Sequence, residues 1–293
     1  MKKQETILIV DDTEINVDIL IELLDEYDVL VALDGASALS IAKEEELDLI
    51  LLDIMMPYLD GFETCKLLKE NKKTKDIPII FSTAKTDEES IEKAYDVGGV
   101  DFVSKPFKPK ELLARIKTHL KLKSLIKSLE YKSFHDEMTG VYNRGKLFEL
   151  AEKRFENLKK DLYVIMFDID KFKNINDSHG HPFGDKVIKA VSSLISNSLK
   201  EDSIFGRIGG EEFCIIMNCD DMNNIIKYLE EVRSDIENLN IITDDFKEVK
   251  VTISTGLALY NDSIGSLDDL LKEADRALYE AKGDGRNKVI FRG

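Results

Sequence analysis

Five short apolar runs, Ile7–Val10, Val29–Leu33, Leu49–Leu52, Ile77–Phe81 and Val100–Val103, alternate with segments whose apolar residues recur at helical spacing, such as Ile15–Leu24 and Glu88–Val97. Unbroken apolar runs suit strands buried on both faces, and the helices between them let successive strands run the same way. The pattern predicts a parallel sheet with helices on both faces. In such sheets ligands bind at the carboxyl ends of the strands. Asp11 and Asp12 follow the first run and Asp53 follows the third. Thr83 ends the fourth strand, and Lys105 ends the fifth, just before Pro106. Three carboxylates this close repel one another unless a cation sits among them, so a bound Mg²⁺ is expected. An acidic cluster, a hydroxyl and a lysine suit a carboxylate that accepts a phosphoryl group, with Asp53 as the nucleophile. A lone Asp at a strand end is as well explained as a helix cap; five positions together are not.

A chain of 293 residues exceeds what one such sheet needs, and two domains of ~100–200 residues fit it. Pro109 should sit in the first turn of the fifth helix. No Gly or Pro interrupts Lys110 to Tyr131, which predicts one helix leaving the first domain as a linker. Its apolar residues Leu112, Ile116, Leu122, Ile126 and Leu129 recur every three or four positions, compatible with a short coiled coil. Lys108, Lys110, Arg115, Lys117, Lys121, Lys123, Lys127 and Lys132 give it a basic face, most simply a solvated one. Beyond it the pattern mixes types. Strands are predicted at Tyr163–Asp170, Ile204–Ile208, Phe213–Met217, Val249–Leu259 and Val289–Phe291. Helices are predicted near Lys186–Leu199, Met222–Asn238 and Leu267–Ala281, with a loop after the first strand. This mixture reads as an α+β sheet domain.

The second half carries its own acids. Phe167-Asp168-Ile169-Asp170 ends a strand, and Gly209-Gly210-Glu211-Glu212 forms a hairpin turn. Glycines there permit positive φ and close approach of backbone to a ligand. If the two strands are neighbours, Asp168 and Glu211 can share divalent ions, and two metals ~4 Å apart are the usual device for in-line attack on a phosphate. Lys173, Lys282 and Arg286 supply cations for a triphosphate. A Gly-Gly turn with two acids is, by itself, only a turn. His179 and His181 lack further His or Cys partners at ligand spacing, and a structural role is expected for both.

Composition narrows the alternatives. The formal net charge of −16 disfavours a general nucleic-acid surface. The three cysteines, Cys65, Cys214 and Cys219, show no C-x-x-C spacing, which disfavours structural disulfides and zinc and fits a reducing cytoplasm. The run Ile7–Val10 is too short for a signal-peptide core, and no stretch approaches the ~20 apolar residues of a membrane span. A cytoplasmic protein without nucleic-acid or membrane partners is expected.

Residues 5–120 resemble the response-regulator receiver family. The resemblance rests on Asp11-Asp12, Asp53 in Leu-Leu-Asp-Ile-Met-Met-Pro, Gly61, Thr83-Ala84 and Lys105-Pro106-Phe107. It implies a flavodoxin-like, doubly wound sheet of five parallel strands and phosphorylation of Asp53 by a cognate sensor histidine kinase. It also implies a metal held by Asp12, Asp53 and the Met55 carbonyl, Thr83 following the phosphoryl group, and Phe102 at the aromatic switch position.

Residues 134–293 resemble the GGDEF family of diguanylate cyclases, here in the GGEEF form. The pattern runs through Asp136-x-x-Thr139-Gly140-x-x-Asn143-Arg144, then Phe167-Asp168-Ile169-Asp170-x-Phe172-Lys173-x-x-Asn176-Asp177 and Gly180-His181-x-x-Gly184-Asp185. It continues in Arg207-x-Gly209-Gly210-Glu211-Glu212-Phe213 and ends in Ala274-Asp275-x-Ala277-Leu278-Tyr279-x-Ala281-Lys282 with Gly285-Arg286-Asn287. The resemblance implies a palm-like α+β fold and condensation of two GTP into cyclic di-GMP with release of two pyrophosphates. By position, Asp168, the Ile169 carbonyl and Glu211 hold Mg²⁺ or Mn²⁺, and Asp168, Glu211 and Glu212 form the catalytic set. Lys173, Lys282 and Arg286 hold phosphates, Phe172, Gly209 and Gly210 lie against the nucleotide, and Asn176 and Asp185 read the base. A carboxylate at 185 accepts from guanine N1–H and the exocyclic amine, whereas adenine N1 is itself an acceptor. Many relatives carry an inhibitory R-x-x-D pair before the turn; Lys200-Glu201-Asp202-Ser203 stands here, so weak or absent product inhibition is expected.

The expected organisation is therefore a receiver domain over 1–120, a helical linker over 121–133 and a cyclase domain over 134–293. Ring closure needs two nucleotides facing each other, so a homodimer formed on phosphorylation is expected. The rival readings are a catalytically silent nucleotide-sensing or protein-docking module, which the intact acidic and basic positions argue against, and a template-dependent polymerase palm, which the charge argues against.

Overall fold

The computed structural model describes residues 4–84 and 88–292; residues 1–3 and Gly293, at the outer ends of the two expected domains, lie outside them. The chain divides into two compact units, with the boundary between Leu129 and Glu130.

The first unit runs β1 (Thr6–Val10), α1 (Glu14–Leu23), β2 (Asp28–Ala32), α2 (Gly35–Glu44), β3 (Leu49–Asp53), α3 (Gly61–Glu70), β4 (Ile79–Thr83), α4 (Glu88–Asp96), β5 (Asp101–Ser104) and α5 (Pro109–Phe134). Its five strands form one sheet in the order β2-β1-β3-β4-β5, every pairing parallel. Alternation along the strands divides the core. Ile7, Ile9, Leu49 and Leu51 pack with Val17, Leu20, Leu112 and Ile116. Leu8, Val10, Ile50 and Leu52 pack with Ala38, Phe62 and Leu68. The fourth strand starts two residues later than its apolar run suggests. Pro78 has no N–H to give a ladder, and only its carbonyl is used, accepting from Ile50 N at 3.0 Å. Asp34 and Asp60 cap α2 and α3, accepting from Ser37 N and Glu63 N at 2.8 Å each.

Helix α5 spans 26 residues. Leu112, Ile116 and Leu120 are buried in the first unit. Leu122, Leu125, Ile126 and Leu129, spaced i, i+3, i+4 and i+7, are each about half exposed or more. The basic face is partly ion-paired: Lys117 meets Glu26 at 3.4 Å and Lys123 meets Asp48 at 2.9 Å.

The second unit continues with α6 (Arg144–Asn157), β6 (Leu162–Ile169), α7 (Phe172–His179), α8 (His181–Ser198), β7 (Ile204–Gly209), β8 (Glu212–Asn218), α9 (Met222–Asn238), β9 (Ile241–Ile242), β10 (Glu248–Val249), β11 (Ile253–Leu259), α10 (Leu267–Gly283) and β12 (Val289–Arg292). The main sheet has the order β12-β11-β6-β8-β7, with only β11 and β12 parallel. Tyr163, Ile165, Phe167 and Ile169 face the core built with α8 and α9, and Leu162 and Val164 face the core built with α6 and α10. Parity therefore carries Asp168 to the α10 side.

Three sequence expectations change here. The segment after β6 is a helix, α7, rather than a loop; only Phe172 in it is buried, so its apolar period is faint. Helix α8 begins at His181 instead of near Lys186, with Pro182 in its first turn. The strand expected at 249–259 is two: β10 pairs with β9, and β11 joins the main sheet at Ile253. Val249, Val251 and Ile253 all pack on the same core, and alternation reports that burial without reporting which backbone lies alongside.

Candidate functional sites

The parallel strands deliver five side chains to one end of the first sheet. Asp53 closes β3, Thr83 closes β4, Lys105 follows β5, and Asp11 and Asp12 follow β1. Oxygens of Asp11, Asp12 and Asp53 all lie within 4.8 Å of one another. Lys105 Nζ bridges two of them, at 2.7 Å from Asp11 and 2.9 Å from Asp53. Asp11 also accepts from Asn16 Nδ2 at 3.0 Å and from the Thr13 N–H at 3.0 Å. Burial pushes the Asp53 carboxyl above its ordinary value, against the opposing pull of Lys105. Three carboxylates against one ammonium leave two negative charges, the charge of one divalent ion. The oxygen-only donor set fits a hard cation such as Mg²⁺. Asp12 and Met55 are exposed at the rim, and Thr83 is buried beside Asp53's strand. Gly61 stands where a Cβ would collide with the Asp53 carbonyl, which explains glycine at that position. Phe102 is half-buried, edge-on to Tyr95 at 6.5 Å.

In the second unit, β6 and β8 are adjacent and antiparallel, with Asp168 opposite Glu212. The hairpin turn is Gly210-Glu211, with Gly210 in the left-handed region at φ +53°. No atom lies near the positions a Cβ would take on Gly209 or Gly210, so this turn is open on its outer side. Asp168 is buried and pairs with Lys282 Nζ at 2.8 Å, from the last turn of α10. Burial raises the Asp168 pKa, Lys282 opposes that rise, and the charges of Glu211 and Glu212 add to it. Among the described residues only the first unit's three acids meet the 4.8 Å closeness; Asp168, Glu211 and Glu212 are more dispersed. They still offer oxygen ligands only, which suits Mg²⁺ or Mn²⁺.

The remaining predicted residues fall around this strand end. Lys173 is exposed on α7 and Arg286 is exposed in the α10–β12 turn; neither makes a side-chain hydrogen bond or ion pair among the described residues. The Phe172 ring joins the core, which leaves its backbone at the start of α7. Asn176 Oδ1 is buried without a partner, against Gly184, next to the exposed Asp185. The two residues assigned to the base are thus brought together where α7 meets α8. Ile169 is a buried residue paired with Ile253. His179 ends α7 and His181 starts α8, neither in a metal cluster among the described residues. Lys200, Glu201 and Ser203 line a cleft of about 380 Å³ with His135 and Tyr142. A larger groove of about 790 Å³, between Leu259, Asp269, Arg276 and Phe291, contains none of the predicted residues.

Arg207 was legible only as part of a motif, and its work is structural. Its Nε and Nη2 donate to the Gly210 carbonyl at 2.9 and 2.7 Å, and its Nη1 donates to Asp136 at 3.0 Å. Asp136 also accepts from Thr139 Oγ1 at 2.7 Å. Burial alone would raise the Asp136 pKa, but the bonds from Thr139 and Arg207 outweigh it and hold it below the ordinary value. The turn is thereby fixed to the segment that follows α5. A charged residue before a Gly-Gly turn was the only signal available in the sequence.

Comparison with known proteins assigns each half of the chain to a domain family. Residues 7–117 match the response regulator receiver domain, and residues 133–288 match the diguanylate cyclase GGDEF domain. Response regulator PleD of Caulobacter vibrioides is 29% identical over 297 residues, covering 97% of this chain and 65% of PleD. Probable diguanylate cyclase DgcT of Escherichia coli is 38% identical over 162 residues, covering 54% of this chain and 35% of DgcT. The chain thus spans about two thirds or less of these relatives. Among solved structures, the coiled coil and GGDEF domain of DgcB from Caulobacter crescentus, in complex with c-di-GMP, superposes with a TM-score of 0.58 at 25% identity, over 62% of this chain and 98% of DgcB's. SiaD of Pseudomonas aeruginosa, a diguanylate cyclase solved with its activator SiaC, gives 0.52 at 30% identity over 62% of this chain and 71% of SiaD's. With a receiver domain on its N-terminal side, the chain belongs to the GGDEF family.

Proposed function

We propose that this protein is a response regulator whose output is diguanylate cyclase activity, switched on when phosphorylation of Asp53 brings two copies together. The observation that carries the reading is the placement of Asp168 and the Gly210-Glu211 turn on adjacent strands, with Lys282 at hand.

In the cyclase reaction each domain holds one GTP. The 3′-oxygen of one nucleotide forms a bond to the α-phosphorus of the other, the bond from that phosphorus to the bridging oxygen breaks, and pyrophosphate leaves. A second, reciprocal transfer closes the ring. Asp168, Glu211 and the Ile169 carbonyl are the residues that would hold Mg²⁺ or Mn²⁺. The bound cation supplies positive charge at the phosphate oxygens and favours ionisation of the attacking hydroxyl. Glu212, exposed and opposite Asp168, accepts the hydroxyl proton. Lys173, Lys282 and Arg286 neutralise the triphosphate. Lys282 is bonded to Asp168 here, so it exchanges that partner for phosphate as cation and nucleotide arrive. Asp185 accepts from guanine N1–H and its amine, with Asn176 beside it.

In the receiver, Asp53 attacks the phosphoryl group carried by the kinase histidine, forming an acyl phosphate and releasing the imidazole. Lys105 pairs with the incoming oxygens and Thr83 follows them; Asp12, Asp53 and the Met55 carbonyl would hold Mg²⁺. The linker over 121–133 transmits the change. Covering the half-exposed Leu122, Leu125, Ile126 and Leu129 of both copies against each other yields on the order of 8 kcal/mol. Association costs roughly 4–15 kcal/mol, so this seam leaves dimerisation near balance, and the receiver's state decides. Such a switch works only through a difference in dimer affinity between the two receiver states. Lys200 and Ser203 in place of an arginine and a carboxylate predict weak product inhibition.

The test is incubation with GTP and Mg²⁺ and chromatography of the products. Cyclic di-GMP and pyrophosphate in a 1:2 ratio support the reading. No product from a protein that is folded, dimeric and able to bind GTP would make it a nucleotide-sensing module.

A further inference from the structure

Arg286 and Asn287 are consecutive non-glycine residues in the left-handed region, at φ +66° and +48°. Few L-residues adopt this conformation, and it persists only where the surroundings over-determine it. Here they do. The Arg286 N–H donates to the Ala281 carbonyl at 2.9 Å, ending α10. The Asn287 N–H donates to Asp170 Oδ2 at 3.0 Å. The Asn287 side chain is gripped from α9: its Nδ2 donates to Glu237 Oε1 at 3.0 Å, and its Oδ1 accepts from Arg233 Nη1 at 2.9 Å. Arg233 is itself fixed by Glu230 and Glu237, at 2.8 Å each. Asp170 is buried, and its oxygens also accept from Thr252 Oγ1 at 2.7 Å and Ser254 Oγ at 2.6 Å.

All of this constraint ends on an exposed arginine: the Arg286 side chain makes no hydrogen bond or ion pair among the described residues. A free arginine on a free loop loses much rotamer and backbone freedom when it binds. An arginine whose backbone is already fixed loses less, and its affinity for an anion rises accordingly. Asp170 has the same logic. It lies two residues beyond Asp168 in the strand-end motif, yet its oxygens are spent on hydroxyls and the Asn287 N–H.

We infer that Asn287, held by Asp170 and by the Arg233–Glu237 pair of α9, is a positioning residue that aims Arg286 at the nucleotide's phosphates. This deepens the cyclase reading and rests on it. Helix α9 carries none of the predicted site residues, so the inference extends the site to an element the motifs do not mark. Asp170, for its part, is an anchor of the α10–β12 turn rather than a metal ligand.

The test is a double-mutant cycle on the full chain, read as the affinity for an α,β-methylene GTP analogue with Mg²⁺ and, separately, for guanosine. Asn287→Gly keeps the left-handed backbone accessible while removing the grip. It is expected to weaken analogue binding about tenfold, without changing guanosine binding. In an Arg286→Ala background the same substitution is expected to cost nothing, because a positioning residue acts only through the residue it positions. Glu237→Ala, at a half-exposed position of α9, should reproduce the loss more weakly, and Glu237→Gln, which keeps an acceptor oxygen, should restore it. Equal losses in both backgrounds, or parallel losses for analogue and guanosine, would overturn the inference and leave the cyclase reading standing. A wild-type protein that binds guanosine but not the analogue, or neither, overturns both.

Discussion

The two acidic sites of this chain solve different problems with the same residue types. The receiver site is assembled: four strand ends of one parallel sheet converge, three carboxylates lie within 4.8 Å, and Lys105 already bridges two of them. The cyclase site is dispersed: one buried Asp168 paired with Lys282, two glutamates at a hairpin turn, and two cations, Lys173 and Arg286, without a polar partner among the described residues. An assembled pocket suits transfer of one phosphoryl group to one fixed nucleophile, where preorganisation does most of the work. A dispersed half-site suits a reaction between two nucleotides, in which each copy supplies half of what reacts. That difference decides where control can lie. A site complete in itself reports its own occupancy; a half-site can be governed by anything that brings the second half near.

The largest expected effect breaks only the second member of this pair. Glu211→Ala should lower cyclic di-GMP formation by roughly 10²–10³-fold, the size of losing one electrostatic contact to a transition state, while phosphorylation of Asp53 continues at the wild-type rate. Loss of phosphorylation in the same variant would show that the two sites are not separable. Asp53→Asn is the converse. It should abolish the response to beryllofluoride, a mimic of phospho-aspartate, and turnover should stay at the unstimulated level; a retained response would move the phosphoacceptor elsewhere.

A third substitution sharpens the contrast within the cyclase domain. Arg207→Ala removes the bonds to the Gly210 carbonyl and leaves Asp136 without its cation. Hydrogen bonds to charged groups contribute ~1.5–3 kcal/mol each, so a loss of about 2 kcal/mol in stability and a roughly tenfold drop in turnover are expected, measured by denaturant melts and GTP turnover. Unchanged turnover would mean that the turn needs no such tether.

The smallest effect is a pH signature of that tether. The Asp136 carboxyl sits below its ordinary value of 3.8. The unfolded chain then binds more protons than the folded one in that range, so Asp136's contribution is full above ~pH 4 and fades as pH falls through its lowered value. Asp136→Asn should therefore cost stability at pH 7, and the gap from wild type should narrow toward pH 3. A gap independent of pH would place the cost in packing rather than charge.

Much of both sites was legible because strand ends and turn motifs put chemistry at fixed chain positions. Asp53 closing β3 follows from an apolar run that stops at an acid, and the Gly210-Glu211 turn follows from glycines flanked by β-branched and aromatic residues. What escaped was held by side chains acting across long stretches of sequence. Helix α7 carries little apolar period, because polar residues fill all but Phe172 and Ile175 of its inner side. Arg207 and Asp136 are 71 positions apart, and Asp170 and Asn287 are 117 apart. No local pattern encodes such pairs. The split between β10 and β11 escaped for a related reason, since alternation marks the buried face and not the neighbouring strand.

In the proposed mechanism the assembled site governs the meeting of two dispersed ones. The most direct measurement is cyclic di-GMP turnover per protein molecule across a protein dilution series, with and without beryllofluoride and with Mg²⁺ present. Specific activity should fall on dilution as dimers dissociate, with the midpoint shifted to lower protein concentration by beryllofluoride and no shift in Asp53→Asn. Specific activity that is independent of both dilution and beryllofluoride would contradict it.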